Sequence, residues 1–361
     1  MHRPHFLDRL KARAERGLAG HYRRGRSVTH GSFIGHRLAV TFAASAFALV
    51  ATMAEAQTTI RIGKQFGIAY LPLTIMEQTQ LLEEHGRRRG LDLKTEWIRF
   101  VSGAGMNEAI LSGKLDLASG GVGPLLTIWG NTHGNLGVKG VAALNSMPLY
   151  LNTINPNVKS IRDFSDKDRI ALPAVKTSIQ AITLQMAAEQ TFGPGQHSKL
   201  DHLTVSLSHP DGMTAMLASE VTAHFTSAPF MYQELEDNRV EKVLSSYDVV
   251  GGPHTFTVVW ATTKFANTHR KVLEAFVAAL DDVMQQIARD PAGVAAVWVR
   301  AENSKLSPDY VRTLIRLNEW TTVPNKMLPY AQFMHRTGIL PVKPTKWQEL
   351  FFRQTHNLPG S

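Results

Sequence analysis

The chain of 361 residues contains no cysteine. Disulfides, thiolate metal sites, iron–sulfur clusters, thiol catalysis and a lipidated N-terminal cysteine are thereby excluded. Long apolar runs are scarce as well. The one sustained apolar run is residues 38–50, LAVTFAASAFALV, and the mean hydropathy is −0.13. A membrane span needs about 20 apolar residues, so a polytopic membrane protein is excluded. Low-complexity tracts and short repeats are absent, and 43% hydrophobic against 19% charged residues is a globular balance. GxSxG, HExxH, P-loop and GxGxxG signatures do not occur. The fifteen histidines are scattered, and His197 and His202 flank no ligand spacing, so neither a metal nor a cofactor is expected and the chain reads as non-enzymatic.

What is present begins with a basic leader. Residues 1–37 hold nine Arg or Lys, the apolar run follows, and then comes Ala54-Glu55-Ala56. A basic segment, a short apolar core and an Ala-x-Ala site make a secretory signal peptide over residues 1–56, cleaved after Ala56. An uncleaved anchor is the alternative, and a translation start near Val28 would explain the length. Residues 1–56 carry nine basic and three acidic side chains, so +6 of the formal +9 belongs to the leader and +3 to the rest. The basic balance therefore gives no reason to expect a nucleic-acid partner. Export to a periplasm, as a soluble monomer, is the expectation.

Beyond the leader, strand and helix patterns alternate. Ile60 and Ile62 mark a strand over residues 59–63, and a helix is expected over 73–85. Strands follow near 91–97, 115–118 and 138–144, with helices near 106–111 and from 124. A second α/β unit follows, with strands near 147–154, 169–175, 203–207 and 223–225. A further strand is expected at 255–262, then mainly helix. This order argues for open, mostly parallel sheets flanked by helices.

In such sheets ligands sit beyond the carboxyl ends of strands, at helix N-termini, where free N–H groups and the helix dipole favour an anion. Small or hydroxyl residues recur at these junctions: Gln65 to Tyr70, Ser102-Gly103-Ala104, Gly120-Gly121-Val122, Lys176-Thr177-Ser178 and Ser227-Ala228. Lys176 is a candidate partner for an anion. Phe66, Tyr70 and Phe230 are candidates for an apolar pocket wall.

Three segments carry a resemblance. Residues 101–118, VSGAGMNEAILSGKLDLA, resemble the G…ALxSGxxDxx segment of ABC-transporter substrate-binding proteins of the nitrate/sulfonate/taurine type. Residues 159–180, KSIRDFSDKDRIALPAVKTSIQ, are similar to that family's xSIxDLKGKxIAxPxGS segment, and residues 217–230 to its LxxGxVDAxxxxxP segment. The resemblance implies a two-lobed periplasmic-binding-protein type II fold, its lobes joined by two crossover strands. Lobe one would be 57–145 plus 253–361 and lobe two 146–252, with hinges near 141–146 and 249–254. It also implies ligand contacts at Gln65, Phe66, Tyr70, Ser102, Gly103, Gly121, Val122, Thr177, Ser178, Ser227 and Ala228. The implied role is capture of a small organic anion and delivery to an ABC permease and its ATPase. Ser227-Ala228-Pro229 lacks the acidic residue that relatives often carry there, which argues against an amine-bearing ligand such as taurine. A periplasmic sensor, or a protein related to the pyrimidine synthases of thiamine biosynthesis, are the alternatives.

Overall fold

The structure, a computed structural model, describes residues 57–361, so the expected signal peptide lies outside the described residues. The first elements are β1 (Thr58–Lys64), α1 (Leu71–Thr79), α2 (Leu81–Arg87), β2 (Leu93–Arg99), α3 (Gly103–Leu111), β3 (Ala118–Gly121), α4 (Val122–Asn131) and β4 (Val138–Ala143). Then come β5 (Tyr150–Thr153), β6 (Ile170–Leu172), α5 (Ile179–Phe192), β7 (Thr204–Ser206), α6 (His209–Leu217), β8 (Ala223–Thr226), α7 (Phe230–Glu234), β9 (Glu241–Ser245) and α8 (Ser246–Val250). The chain closes with β10 (Thr257–Thr262), α9 (Thr263–Thr268), α10 (Arg270–Arg289), α11 (Pro291–Ala301), α12 (Pro308–Leu317) and α13 (Met327–Arg336).

Two sheets result, one per lobe. In the first, β1 pairs with β2, and β10 lies between β3 and β4. The two pieces meet where Gly63 N–H donates to Leu117 O at 2.8 Å, beside a parallel bridge from Ile62 to Leu117. The spatial order is therefore β2-β1-β3-β10-β4. The second sheet runs β7-β6-β8-β5-β9. Each sheet has one strand antiparallel to its neighbours, β10 in the first and β5 in the second, in the same fourth place. The lobes thus repeat one plan. Helices cover the sheets, which is why Val258, Val259, Trp260 and Ala261 form an unbroken buried run in β10. Helix α10 supplies the complementary pattern: Val272, Leu273, Phe276, Ala279, Leu280 and Val283 are buried at three- and four-residue spacing.

Local departures from the sequence expectations have physical causes. The helix expected over 73–85 is broken at Gln80, which adopts a left-handed conformation with φ 55° and lets both Leu81 and Leu82 turn into the core. Helix α3 starts at Gly103, because the Ser102 hydroxyl accepts the Gly105 N–H and caps it. The strand expected over 115–118 is displaced to β3, so Gly120 and Gly121 lie in the sheet. Strand β9 was not expected; its sequence, EKVLS, is a half-exposed edge without a clean alternation. Where the chain crosses between lobes, Leu144 N–H donates to Thr257 O at 2.9 Å and Phe256 N–H to Asn145 O at 3.1 Å. Among the described residues no helix is long and apolar enough to cross a membrane.

Candidate functional site

The strand ends of both sheets point at one cavity. Gln65 and Tyr70 reach it from the loop after β1, Gly103 from the start of α3, and Gly121 and Pro124 from the β3–α4 junction. Pro173, Ser178, Ile179 and Gln180 reach it from the β6–α5 junction, and His209 from the start of α6; Phe256 lies at the crossover. The cavity is about 10 Å³, room for about one water. A molecule larger than water would fit only with the lobes farther apart.

Helices α3, α4 and α5 all begin at this cavity. Gly103 is the first residue of α3, Gly121 caps α4, and Ser178 caps α5 with its hydroxyl accepting the Ala181 N–H at 3.2 Å. With α6, which starts at His209, four helix N-termini therefore border the cavity with their positive ends. The glycines are required by close approach. A Cβ on Gly121 would lie 2.6 Å from Ile179 Cγ2, across the gap between lobes. Gly67 has φ 103°, and a Cβ there would meet Ala228 O at 3.0 Å. The lobes also touch directly, where Ile68 N–H donates to Ala228 O at 3.2 Å.

None of the lining side chains carries a charge at neutral pH. Burial, aided by the neighbouring His224, pushes the His209 imidazole down to about 3, so it is neutral; Thr226 Oγ1 lies 2.7 Å from its Nδ1. Burial likewise drives the Tyr70 phenol upward, against a hydrogen bond with Gln65. Gln180 Nε2 lies 3.5 Å from His209 Nε2. The site thus offers dipoles, amides and one neutral imidazole.

Of the residues singled out in the sequence, Gln65, Tyr70, Gly103, Gly121 and Ser178 come together at the cavity. The others stand beside it. Phe66 is half-buried under the Arg99 guanidinium, 4.9 Å from ring centre to Cζ. Ser102 is spent on capping α3, and the Val122 N–H donates to Phe256 O at 3.2 Å. Lys176 is exposed with φ 62°: its left-handed turn sends the side chain to solvent, where its charge acts on Asp201. Thr177 is half-buried, and its hydroxyl donates weakly to Val175 O at 3.4 Å. Ser227 is buried with no partner for its Oγ, and Ala228 is spent on the contact between lobes. Sequence reasoning missed Gln180, His209, Pro173 and Phe256. The start of the α6 pattern after β7 was the available signal for His209. Among the described residues no group of three or more His, Asp or Glu is placed to hold a metal ion.

No family model and no curated protein matches the chain. Solved structures do. The alkanesulfonate-binding protein SsuA from Xanthomonas axonopodis pv. citri, bound to MOPS, superposes with a TM-score of 0.62 at 19% identity, covering 79% of this chain and 94% of that one. The periplasmic nitrate-binding protein NrtA from Synechocystis PCC 6803 gives 0.63 at 13% identity, covering 81% and 84%. A Candida albicans protein described as exhibiting the generic periplasmic binding protein structural fold gives 0.61 at 15% identity, covering 80% and 92%. The fold is that of the two-lobed periplasmic binding proteins. At these identities the likeness extends to the binding-protein fold alone, and the repeated strand order of the two lobes is its expression here.

Proposed function

We propose that this protein is an extracytoplasmic solute-binding protein of an ABC importer. It captures a small organic anion, an aliphatic sulfonate before nitrate-like ions, between its lobes and hands it unaltered to a membrane permease driven by its ATPase. The lobes of this reading are 57–145 plus 253–361 and 146–252. Residues 1–56 are its export signal, and the mature protein is a periplasmic monomer without catalytic activity. The observation that carries the reading is the cavity itself: four helix N-termini from two lobes, with no acidic side chain among the lining residues to repel an anion. Gln65, Tyr70, Gln180 and His209 supply the flanking hydrogen bonds, and closure removes the ligand from water. Hydrogen bonds to a charged group contribute about 1.5–3 kcal/mol each, so a handful, less the cost of association, supports micromolar affinity.

The test is a thermal-shift screen on protein beginning at Gln57. Its panels are alkanesulfonates, nitrate-like anions, aromatic carboxylates and pyrimidines. An alkanesulfonate is expected to raise the melting temperature most. A shift confined to pyrimidines, or turnover of any compound, would contradict the proposal.

A further inference from the structure

Helix α13 is tied at both ends to the first lobe and packs against both α4 of that lobe and α5 of the second. Before it, Glu319 and Ser146 exchange backbone hydrogen bonds at 2.9 and 3.1 Å, and Ala143 N–H donates to Thr322 O at 3.2 Å. This segment runs beside the two crossover strands. After it, Phe352 N–H donates to Gly140 O, and the Thr355 hydroxyl to Val141 O, both at 2.9 Å. Between these anchors α13 meets α5. The hydroxyl of the fully buried Tyr330 lies 3.0 Å from Thr183 Oγ1. Farther along, Arg336 Nη1 pairs with Glu189 Oε2 at 2.6 Å. Positions 330 and 336 thus match 183 and 189, and the two helices run side by side in the same direction. The Phe333 ring stands edge-on to His197, 6.1 Å between centres. At the helix start, Lys326 Nζ donates to Gly251 O, on the crossover.

Helix α5 therefore has two working ends. Its N-terminus, capped by Ser178, faces the cavity. Farther along, at Thr183 and Glu189, it is held by α13. A helix of 14 residues is a stiff rod about 20 Å long, so the two ends move together.

We propose that α13 is a clasp on the cleft: held by the first lobe, it grips α5 of the second, and the lobes part only when the Tyr330–Thr183 and Arg336–Glu189 contacts release. The clasp rests on the reading of the cavity as the ligand site and adds its regulation. Because the cavity has room for about one water, ligand entry and exit both pass through release of the clasp. The strength of the α13–α5 contact then sets how long a ligand stays.

The test needs no ligand. The chain has no cysteine, and Val101 and Val175, 58% and 38% exposed, stand at the rim on opposite lobes. Val101→Cys with Val175→Cys gives one spin-labelled pair on protein 57–361, read by pulsed dipolar spectroscopy. Arg336→Glu is expected to shift the open-to-closed ratio at least about threefold toward longer distances. Adding Glu189→Arg to Arg336→Glu is expected to restore the original distribution, and Tyr330→Phe to give a smaller shift. Circular dichroism and melting confirm that each variant is folded. An unchanged distribution in folded Arg336→Glu, or a charge swap that fails to restore it, would overturn the clasp. If Arg336→Glu fails to fold, an unchanged distribution in Tyr330→Phe overturns it. A failed ligand screen leaves these distances untouched, so the clasp and the capture reading fail separately.

Discussion

In the first lobe the charges behind the cleft form a connected ionic set. In the second, the buried polar groups are built around imidazoles. Lys64, at the end of β1, pairs with Glu77 at 2.6 Å and Glu302 at 3.4 Å and donates to Thr74 Oγ1 at 2.9 Å. Arg99 pairs with Glu302 at 2.6 Å and covers Phe66. Two cations thus face two anions, and nothing is left over for the cavity. In the second lobe His224 Nδ1 lies 2.5 Å from Glu234 Oε1, and Asn152 donates to Glu234 Oε2 at 2.8 Å, all fully buried. His209 lies one layer closer to the cavity, its ring 5.9 Å from that of His224. The lobes reach the same end by different chemistry: each presents the cavity with no net charge. In the proposed capture, recognition would rest on helix dipoles and neutral donors, which favour an anionic group without fixing its shape.

The contrast can be broken at its strongest point first. Glu234→Ala removes the partner of both His224 and Asn152 in a dry interior. It is expected to cost about 3–5 kcal/mol in urea unfolding. A loss under 1 kcal/mol would show that the second-lobe network is not under the constraint described.

Acidification should come next. Burial depresses His209 of the second lobe to about 3. A histidine whose folded value lies below its unfolded value of about 6.5 binds more protons when unfolded. Stability is therefore full above about pH 6.5 and falls as pH drops toward the folded value. The loss between pH 7 and pH 5 is expected to be about 2 kcal/mol, measured by urea unfolding at each pH. The first lobe responds lower. Burial pushes the Glu302 carboxyl up, but Arg99 and Lys64 outweigh it and leave it below its ordinary value. Its contribution is present above the unfolded carboxylate range and is lost only as pH falls through the depressed folded value. A flat profile from pH 7 to 5 would remove the distinction between the lobes.

The smallest effect is expected from Glu302→Ala. Water reaches this cluster, because Glu77 and Arg99 are 28% and 32% exposed, so the loss is about 1–2 kcal/mol by the same measurement. A loss equal to that of Glu234→Ala would erase the comparison.

The repeated α/β plan was legible because β6 and β10 are short apolar strands followed by helices capped by Ser178 and Thr262, and because Ile60 and Ile62 alternate in β1. The junctions around Ser102, Gly121 and Ser178 were legible because capping and close approach restrict residue type locally, although α3 and α4 begin at Gly103 and Val122, ahead of the expected 106 and 124. Lys176, a candidate anion partner in the sequence, stands outside the cavity lining, because a left-handed turn, invisible in the residue types, leaves it exposed. His209 and Gln180 were missed because their roles depend on two strands and two helices converging from distant parts of the chain. The clasp was hidden for the same reason. Tyr330 and Arg336 read as ordinary members of an amphipathic helix, and their partners lie on α5 in the other lobe.

The account turns on capture between closing lobes at helix N-termini. Isothermal titration of an alkanesulfonate into protein 57–361 and into Gly121→Ala tests it most directly, since the added methyl group would stand 2.6 Å from Ile179 and hold the lobes apart. The account predicts one site of micromolar affinity, weakened at least about tenfold in Gly121→Ala with the melting temperature of the free protein little changed. Equal affinity in both proteins would contradict it.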